Sequence, residues 1–367
     1  MLYLTWRDHG HPEAGGSEVF VDRTAQELTR LGHDVVVFSS GYDGAPRSSE
    51  HAGYSIVRAG HRYSVYFHAL WFMLRHRKDF DAVIDVQNGV PFWSPLIFRV
   101  PVFNLTHHVH REQWSSFFSA PVARFGWFIE SRVAPFVYRN SRYLTVSRAS
   151  RDELVDLGVD ADRIDIVHNG NDLPADFDRY RDIPRSAAPS IITVGRLVQH
   201  KRVEMSIDAL REFRYSVPDL ELHVLGDGHW LEPLRQHAVD AGVADRVHFH
   251  GFVDNAEKHE LLASSWAMAM PSLKEGWGLT IVEAGLHGTP TVAFRAAGGT
   301  QESVLDNETG LLADSREEFF DGLMRLIADG DFRDKLGDHA TKYARSFTWE
   351  ESGRSVMRAI TAATAER

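Results

Sequence analysis

Short apolar runs alternate with longer stretches in which apolar positions recur at helical spacing, from one end of the chain to the other. In the first half, LYLTW (2–6), DVVVFSS (34–40), AVIDV (82–86), PVFNLT (101–106), RYLTVS (142–147) and IDIVHN (164–169) are predicted as buried strands. Between the first two, SEVFVDRTAQELTRLG places Phe20, Leu28 and Leu31 at roughly helical spacing, and Gly32 stops the pattern. The second half repeats the scheme with SIITVG (190–195), ELHVLG (221–226), RVHFHG (246–251), AMAMPS (267–272) and TPTVAF (289–294). Strands alternating with helices predict an α/β protein with parallel sheets covered by helices on both faces.

The pattern weakens over NDLPADFDRYRDIPRSAAPS (171–190), which is rich in Pro and Asp as a linker is. The predicted domains are therefore 1–172 and 173–347, each a doubly wound, Rossmann-like sheet. A closing helical stretch (348–367) follows a break at Phe347 and Thr348; it could pack on either domain, a return to the first included. A length of 367 residues suits two cores better than one. Ligands of this architecture bind where loops leave the carboxyl ends of the strands, so a cleft between the domains is the expected site.

Composition narrows the partners. A net charge of -11 without a long basic run disfavours nucleic acid, whose binding depends on neutralising phosphates. No cysteine is present, which excludes disulfides and thiolate metal sites. The opening MLYLTWRDHGHPEAGGSE lacks the pattern of a secretory leader, and no window of about 18 apolar residues occurs. The expected location is the cytoplasm.

Polar and glycine-rich segments follow the predicted strands. After the first comes HPEAGGSE, where Gly15 and Gly16 allow close backbone approach and Ser17 is an expected N-cap; free N–H groups there suit an anion, although an ordinary turn reads the same way. GRLVQHKR puts Arg196 at a strand end and Lys201 at the expected start of the next helix, where cations are electrostatically misplaced unless they serve an anionic ligand. KEGWGLTIVEAG sets Glu275 and Glu283 around a glycine-rich turn. Backbone N–H groups near Gly278 would face an anion, and Glu283 would accept hydrogen bonds from vicinal hydroxyls. VLGDG (224–228) and FHGFV (249–253) add glycine room and the Phe252 ring. His107, His108 and His110 cluster at a strand end without a zinc-type arrangement, so one histidine turned to substrate is preferred over a metal.

Together GGSE, GRLVQHK, VLGDG, HFHGFV and the E-x7-E of EGWGLTIVE resemble the retaining nucleotide-sugar glycosyltransferases of GT-B fold, glycosyltransferase family 4 (group 1), over nearly the whole chain. The resemblance implies two Rossmann-like domains facing across a cleft, the first for acceptor and the second for donor. It implies transfer of a hexose (glucose, mannose or N-acetylglucosamine type) from a UDP-, GDP- or ADP-sugar to a hydroxyl of a glycan, lipid-linked or small-molecule acceptor. Arg196 and Lys201 would neutralise the departing diphosphate, Gly16 would contact it through its backbone, and Glu283 would bind the ribose. Glu275 would face the donor sugar, as would His107, with His108 an open alternative. Backbone groups of Gly278, Leu279 and Val253 would hold phosphate, sugar or base. Gly15, Gly195, Gly226, Phe252, Gly276 and Trp277 complete the implied donor site. No cofactor and no metal are implied, since the cations replace one. The triplets DAD (160–162), DFD (176–178) and DGD (329–331) are not placed to hold a donor metal. A glycoside hydrolase or phosphorylase, or a non-catalytic nucleotide-sugar module, are the alternatives; paired carboxylates suit hydrolysis, but Arg196 and Lys201 then have no task.

Two stretches of the first domain, HRYSVYFHALWFMLRHRKDF (61–80) and WSSFFSAPVARFGWFIESRVAPFVYRN (114–140), mix aromatic and basic residues. Such a helix face suits either packing into the core or peripheral contact with a membrane.

Overall fold

The computed structural model describes residues 1–111, 113, 114, 118–174 and 177–366. The chain divides into two units: Met1–Gly170 together with the segment from Thr348, and Asn171–Phe347.

The first unit holds β1 (Leu2–Leu4), β2 (Val36–Ser39), β3 (Ser48–His51), β4 (Tyr54–Arg58), β5 (Val83–Val86), β6 (Val102–Leu105), β7 (Arg142–Thr145) and β8 (Ile164–Ile166). They form one sheet in the order β3-β4-β2-β1-β5-β6-β7-β8. Every pairing is parallel except the β3–β4 hairpin. That hairpin escapes the sequence reading because the SSEH of β3 is polar and alternately exposed, as befits an edge strand. The central strands are buried on both faces and therefore read as continuous apolar runs.

The helix Gly16–Arg30 buries Phe20, Val21, Ala25 and Leu28 against this sheet's core, while Leu31 lies beyond its end and is exposed. Helix Trp349–Ala365 packs on it so closely that a Cβ at Gly353 would sit 2.4 Å from Glu27 Cβ. Trp349 meets Phe20 edge-on at 6.2 Å, and Arg30 pairs with Glu350 at 2.8 Å. Thr348 caps this helix by accepting from the Glu351 amide. The C-terminal helix is thus a structural element of the first unit.

The second unit is an all-parallel sheet of β9 (Ser190–Val194), β10 (Glu221–Leu225), β11 (Val247–Gly251), β12 (Ala267–Met270), β13 (Thr291–Phe294) and β14 (Gly310–Ala313). Its order is β11-β10-β9-β12-β13-β14. Strand β14, GLLA, is the one of this unit that the sequence reading omits. Leu222, Val224, Val292 and Phe319 lie in the larger of its apolar clusters, and Ile192, Met268 and Ile281 in the other.

Candidate functional site

In the second unit the strand order reverses between β9 and β12, and the loops leaving these two strands carry the predicted cations and carboxylate. Gly195 and Arg196 follow β9 directly, and the Arg196 side chain is exposed. Lys201 does not open the next α-helix. It ends a 3-10 turn, Gln199–Lys201, after which Arg202 adopts φ +53° and the α-helix begins at Glu204. The cation is therefore held on a loop at the strand end, not at a helix N-terminus, and the electrostatic misplacement argued from sequence is removed.

Lys201 Nζ donates to Glu275 Oε1 at 2.6 Å. The two side chains are only 21% and 11% exposed, so this is a largely desolvated pair. The backbone of Glu275 is pinned on both sides: its amide donates to Ala297 O at 2.7 Å, and its carbonyl accepts from Gly299 at 2.9 Å. His200, beside Lys201, is pushed down to about 4, mainly by burial and then by the Lys201 charge.

The loops after β9, β10 and β11 are stitched together. Gly195 N donates to Leu225 O, and Gly226 N donates to Gly251 O. Gly226 has φ +125°, and a Cβ there would stand 2.0 Å from Gly195 O, so only glycine lets the two loops meet. Beyond them Phe252 is 90% exposed, while Val253 packs against the cluster containing Ile281.

Gly278 takes φ +93° as the N-cap of helix Leu279–Leu286. Its first-turn N–H groups lack intrahelical acceptors by construction, the feature that makes such an end receptive to anions. Gly276 packs tightly, since a Cβ on Gly299 would reach its carbonyl oxygen at 2.1 Å. Trp277 departs from the expectation of a donor contact: its indole is 2% exposed and meets Phe347 edge-on at 5.0 Å. The ring anchors the turn in the core, leaving only its backbone for a ligand. Glu283 lies in the second turn and accepts from Lys258 Nζ at 2.8 Å, both side chains about four-fifths buried. Lys258 was missed by sequence reasoning, because it belongs to another helix, Asn255–Ser264, 25 residues away.

Gly15, Gly16 and His107 belong to the first unit. Gly15, not Ser17, is the N-cap of Gly16–Arg30; its amide donates to Glu18 Oε2 at 2.8 Å, and Arg7 holds the other oxygen of Glu18 at 3.2 Å. Ser17 is inside the helix, its hydroxyl buried without a partner among the described residues. His107 follows β6, is buried, and sets its ring edge-on to Phe20 at 5.3 Å. Its Nε2 has no partner among the described residues. Burial, and to a smaller extent His110, pushes His107 down to about 4, so the ring is neutral at neutral pH. The neighbouring histidines pack on each other with ring centroids 4.5 Å apart; His108 meets Gln113 Oε1 at 3.1 Å, and His110 meets the buried Glu130 at 2.9 Å. Of the acidic triplets, Asp160 and Asp329 cap a 3-10 turn and a helix, and Asp176 of DFD lies outside the described residues.

The aromatic helix Val65–Arg75 is two-faced. Val65, Ala69, Phe72 and Met73 are buried, whereas Phe67 and Trp71 are 76% and 64% exposed beside Leu70 and Leu74. Among the described residues of the second stretch, Phe125, Phe128 and Phe136 are also exposed. No helix among the described residues is long and apolar enough to cross a membrane.

Comparison with known proteins adds identity to this geometry. Residues 14–174 match the family described as Glycosyltransferase Family 4, and residues 177–343 match Glycosyl transferases group 1. A D-inositol 3-phosphate glycosyltransferase of Paenarthrobacter aurescens is 28% identical over 94% of this chain and 92% of its own. A GDP-mannose-dependent alpha-(1-6)-phosphatidylinositol monomannoside mannosyltransferase of Mycolicibacterium smegmatis is 29% identical over 87% and 86%. Among solved structures, sucrose-phosphate synthase from Thermosynechococcus elongatus superposes with TM-score 0.82 at 20% identity, covering 100% of this chain and 99% of that one. WaaG, a glycosyltransferase involved in lipopolysaccharide biosynthesis, does so with TM-score 0.76 at 18% identity over 98% and 99%.

Proposed function

Because the chain belongs to the group 1 glycosyltransferases of family 4, an enzyme family of GT-B fold, we propose that it moves a hexose from a nucleotide-diphosphate sugar to an acceptor hydroxyl with retention and without a metal. The observation that carries this reading is the Lys201–Glu275 pair, set beside Arg196 on the loops where the strand order reverses. In the reaction, the bond between the anomeric carbon and the β-phosphate oxygen breaks, and its electron pair leaves with the diphosphate. The acceptor oxygen bonds to the same face of the sugar and passes its proton to the departing phosphate. Positive charge on Arg196 and Lys201, with the N–H groups at Gly278 and Leu279, opposes the charge that develops there.

Glu275 has two tasks in this account: it orients the Lys201 ammonium and borders the donor sugar. Glu283 receives the ribose hydroxyls, with Lys258 holding its carboxylate in place. Gly16 contacts the diphosphate through its backbone, and a neutral His107 serves the sugar as a hydrogen-bonding group. The relatives are named for GDP-mannose and for inositol-containing acceptors, which favours a GDP-sugar donor and a polyol-phosphate or lipid-linked acceptor. Exposed Phe67 and Trp71, with Arg75 at the end of the same helix and Arg77 and Lys78 in the turn beyond it, favour peripheral contact with an anionic membrane.

Incubation with UDP-, GDP- and ADP-sugars, with and without acceptor, tests the reading. Acceptor-dependent release of nucleoside diphosphate is expected, and Glu283→Gln should weaken nucleoside diphosphate binding by about tenfold, the equivalent of one charge-assisted hydrogen bond. Glycan cleavage without any nucleotide sugar would replace transfer by hydrolysis.

A further inference from the structure

Three side chains unused by the transfer chemistry gather in the first unit. His9 lies in the loop after β1, Asp22 on helix Gly16–Arg30, and His51 at the end of β3. One ligating atom from each falls within 4.8 Å of the others, and among the described residues this group alone brings three such atoms together. The rings of His9 and His51 stack with centroids 3.7 Å apart. Asp22 is buried, and its Oδ1 lies 3.3 Å from His51 Nε2. The same oxygen accepts from Tyr54 at 2.8 Å and from Gln26 at 2.9 Å, while the Tyr54 hydroxyl is 3.3 Å from His9 Nδ1.

An ion pair between Asp22 and His51 explains one histidine, not two stacked ones. Arg23 approaches Asp22 through Oδ2 at 3.4 Å and leaves Oδ1 to the histidine side. The other nearby carboxylate, Asp8, is already engaged by Arg58 at 2.7 Å.

We propose that His9, Asp22 and His51 form a binding site for one divalent transition-metal ion, zinc by the chemistry of the donors, with water completing the shell. Two imidazole nitrogens and one carboxylate oxygen are a common zinc set. Bonds of about 2.0–2.2 Å in a tetrahedron space the ligand atoms roughly 3.4 Å apart, so atoms now within 4.8 Å of one another close by up to about 1.4 Å, and the stacked rings tilt apart so that their in-plane lone pairs converge. Gln26 and Tyr54 hold the carboxylate from outside, as orienting partners of metal ligands do. The ion takes no part in leaving-group departure. It ties the loop that runs to Gly15 and Gly16 to the helix and to the edge hairpin.

The test uses the full chain stripped with EDTA and titrated with Zn²⁺ alone, read by calorimetry and by thermal unfolding. One equivalent should bind and raise Tm; both effects should vanish in His51→Ala and in Asp22→Asn. They should persist in His223→Ala/His250→Ala, which disrupts a different close histidine pair, at 3.0 Å in the second unit. Should Asp22→Asn fail to fold, His51→Ala still decides, because that side chain is 38% exposed. No bound zinc, or equal binding by His9→Ala/His51→Ala, would overturn the site.

Discussion

Substituting Lys201 by Ala separates a structural from a chemical role for the same ammonium group. The group lies 2.6 Å from Glu275 Oε1, and the carboxylate it leaves behind is only 11% exposed. Losing a charge-assisted hydrogen bond in such surroundings costs about 1–3 kcal/mol of folding stability. Losing one donor to the departing diphosphate costs about 10²–10³ in kcat, or roughly 2.7–4 kcal/mol in the barrier. Urea unfolding measures the first and steady-state kinetics with saturating donor the second. The double variant Lys201→Ala/Glu275→Ala discriminates between them, since deleting both partners of a buried pair is nearly neutral while stranding one is not. Stability should return toward that of the parent chain, and kcat should stay low. Recovery of rate in the double variant, or a single variant that is destabilised yet turns over normally, would refute a direct role for Lys201 in leaving-group departure.

Gly226→Ala should cost more than about 1 kcal/mol, because it adds a Cβ at positive φ and forces it against the Gly195 carbonyl; a shift in urea midpoint with unchanged slope checks this. His107, His200 and His223 are held at about 4 and His287 at about 3, chiefly by burial, against 6.5 when unfolded. Between those values the unfolded chain binds more protons, so stability is full above about pH 6.5 and falls as pH drops toward 4. Urea titrations across that window should show the fall, with a shallower slope for His107→Asn. Phe67→Ser/Trp71→Ser should reduce co-sedimentation with anionic vesicles without altering Tm, because both rings are exposed; equal sedimentation would remove the membrane contact.

Most of the fold was legible because strands buried on both faces announce themselves as continuous apolar runs: IIT of β9, AMAM of β12 and VID of β5. Strand β3 was not, since SSEH needs no apolar pattern to pair at an edge. The approximate helix after β1 was readable, but its cap was displaced by two residues, because glycine at an N-cap leaves no side-chain signature. Glycine-bounded motifs led to the loops around Gly195, Gly226 and Gly278, where backbone geometry restricts the residue choice. Side-chain partnerships were invisible. Nothing local ties Lys258 to Glu283, or places Trp277 in the core although it stands among exposed-looking glycines. The grouping of His9, Asp22 and His51 likewise arises from a loop, a helix and a hairpin that only the folded sheet brings together.

The packing of Gly353 against Glu27 has a consequence for how the protein is made. Synthesis proceeds from the amino end, so some 320 residues separate the emergence of helix Gly16–Arg30 from that of its lasting cover. Until then Phe20 lacks the Trp349 ring on that side, and a nascent chain must carry an unfinished first half while the second is translated. A stop codon placed just after residue 347 should therefore harm the half of the molecule that was translated first.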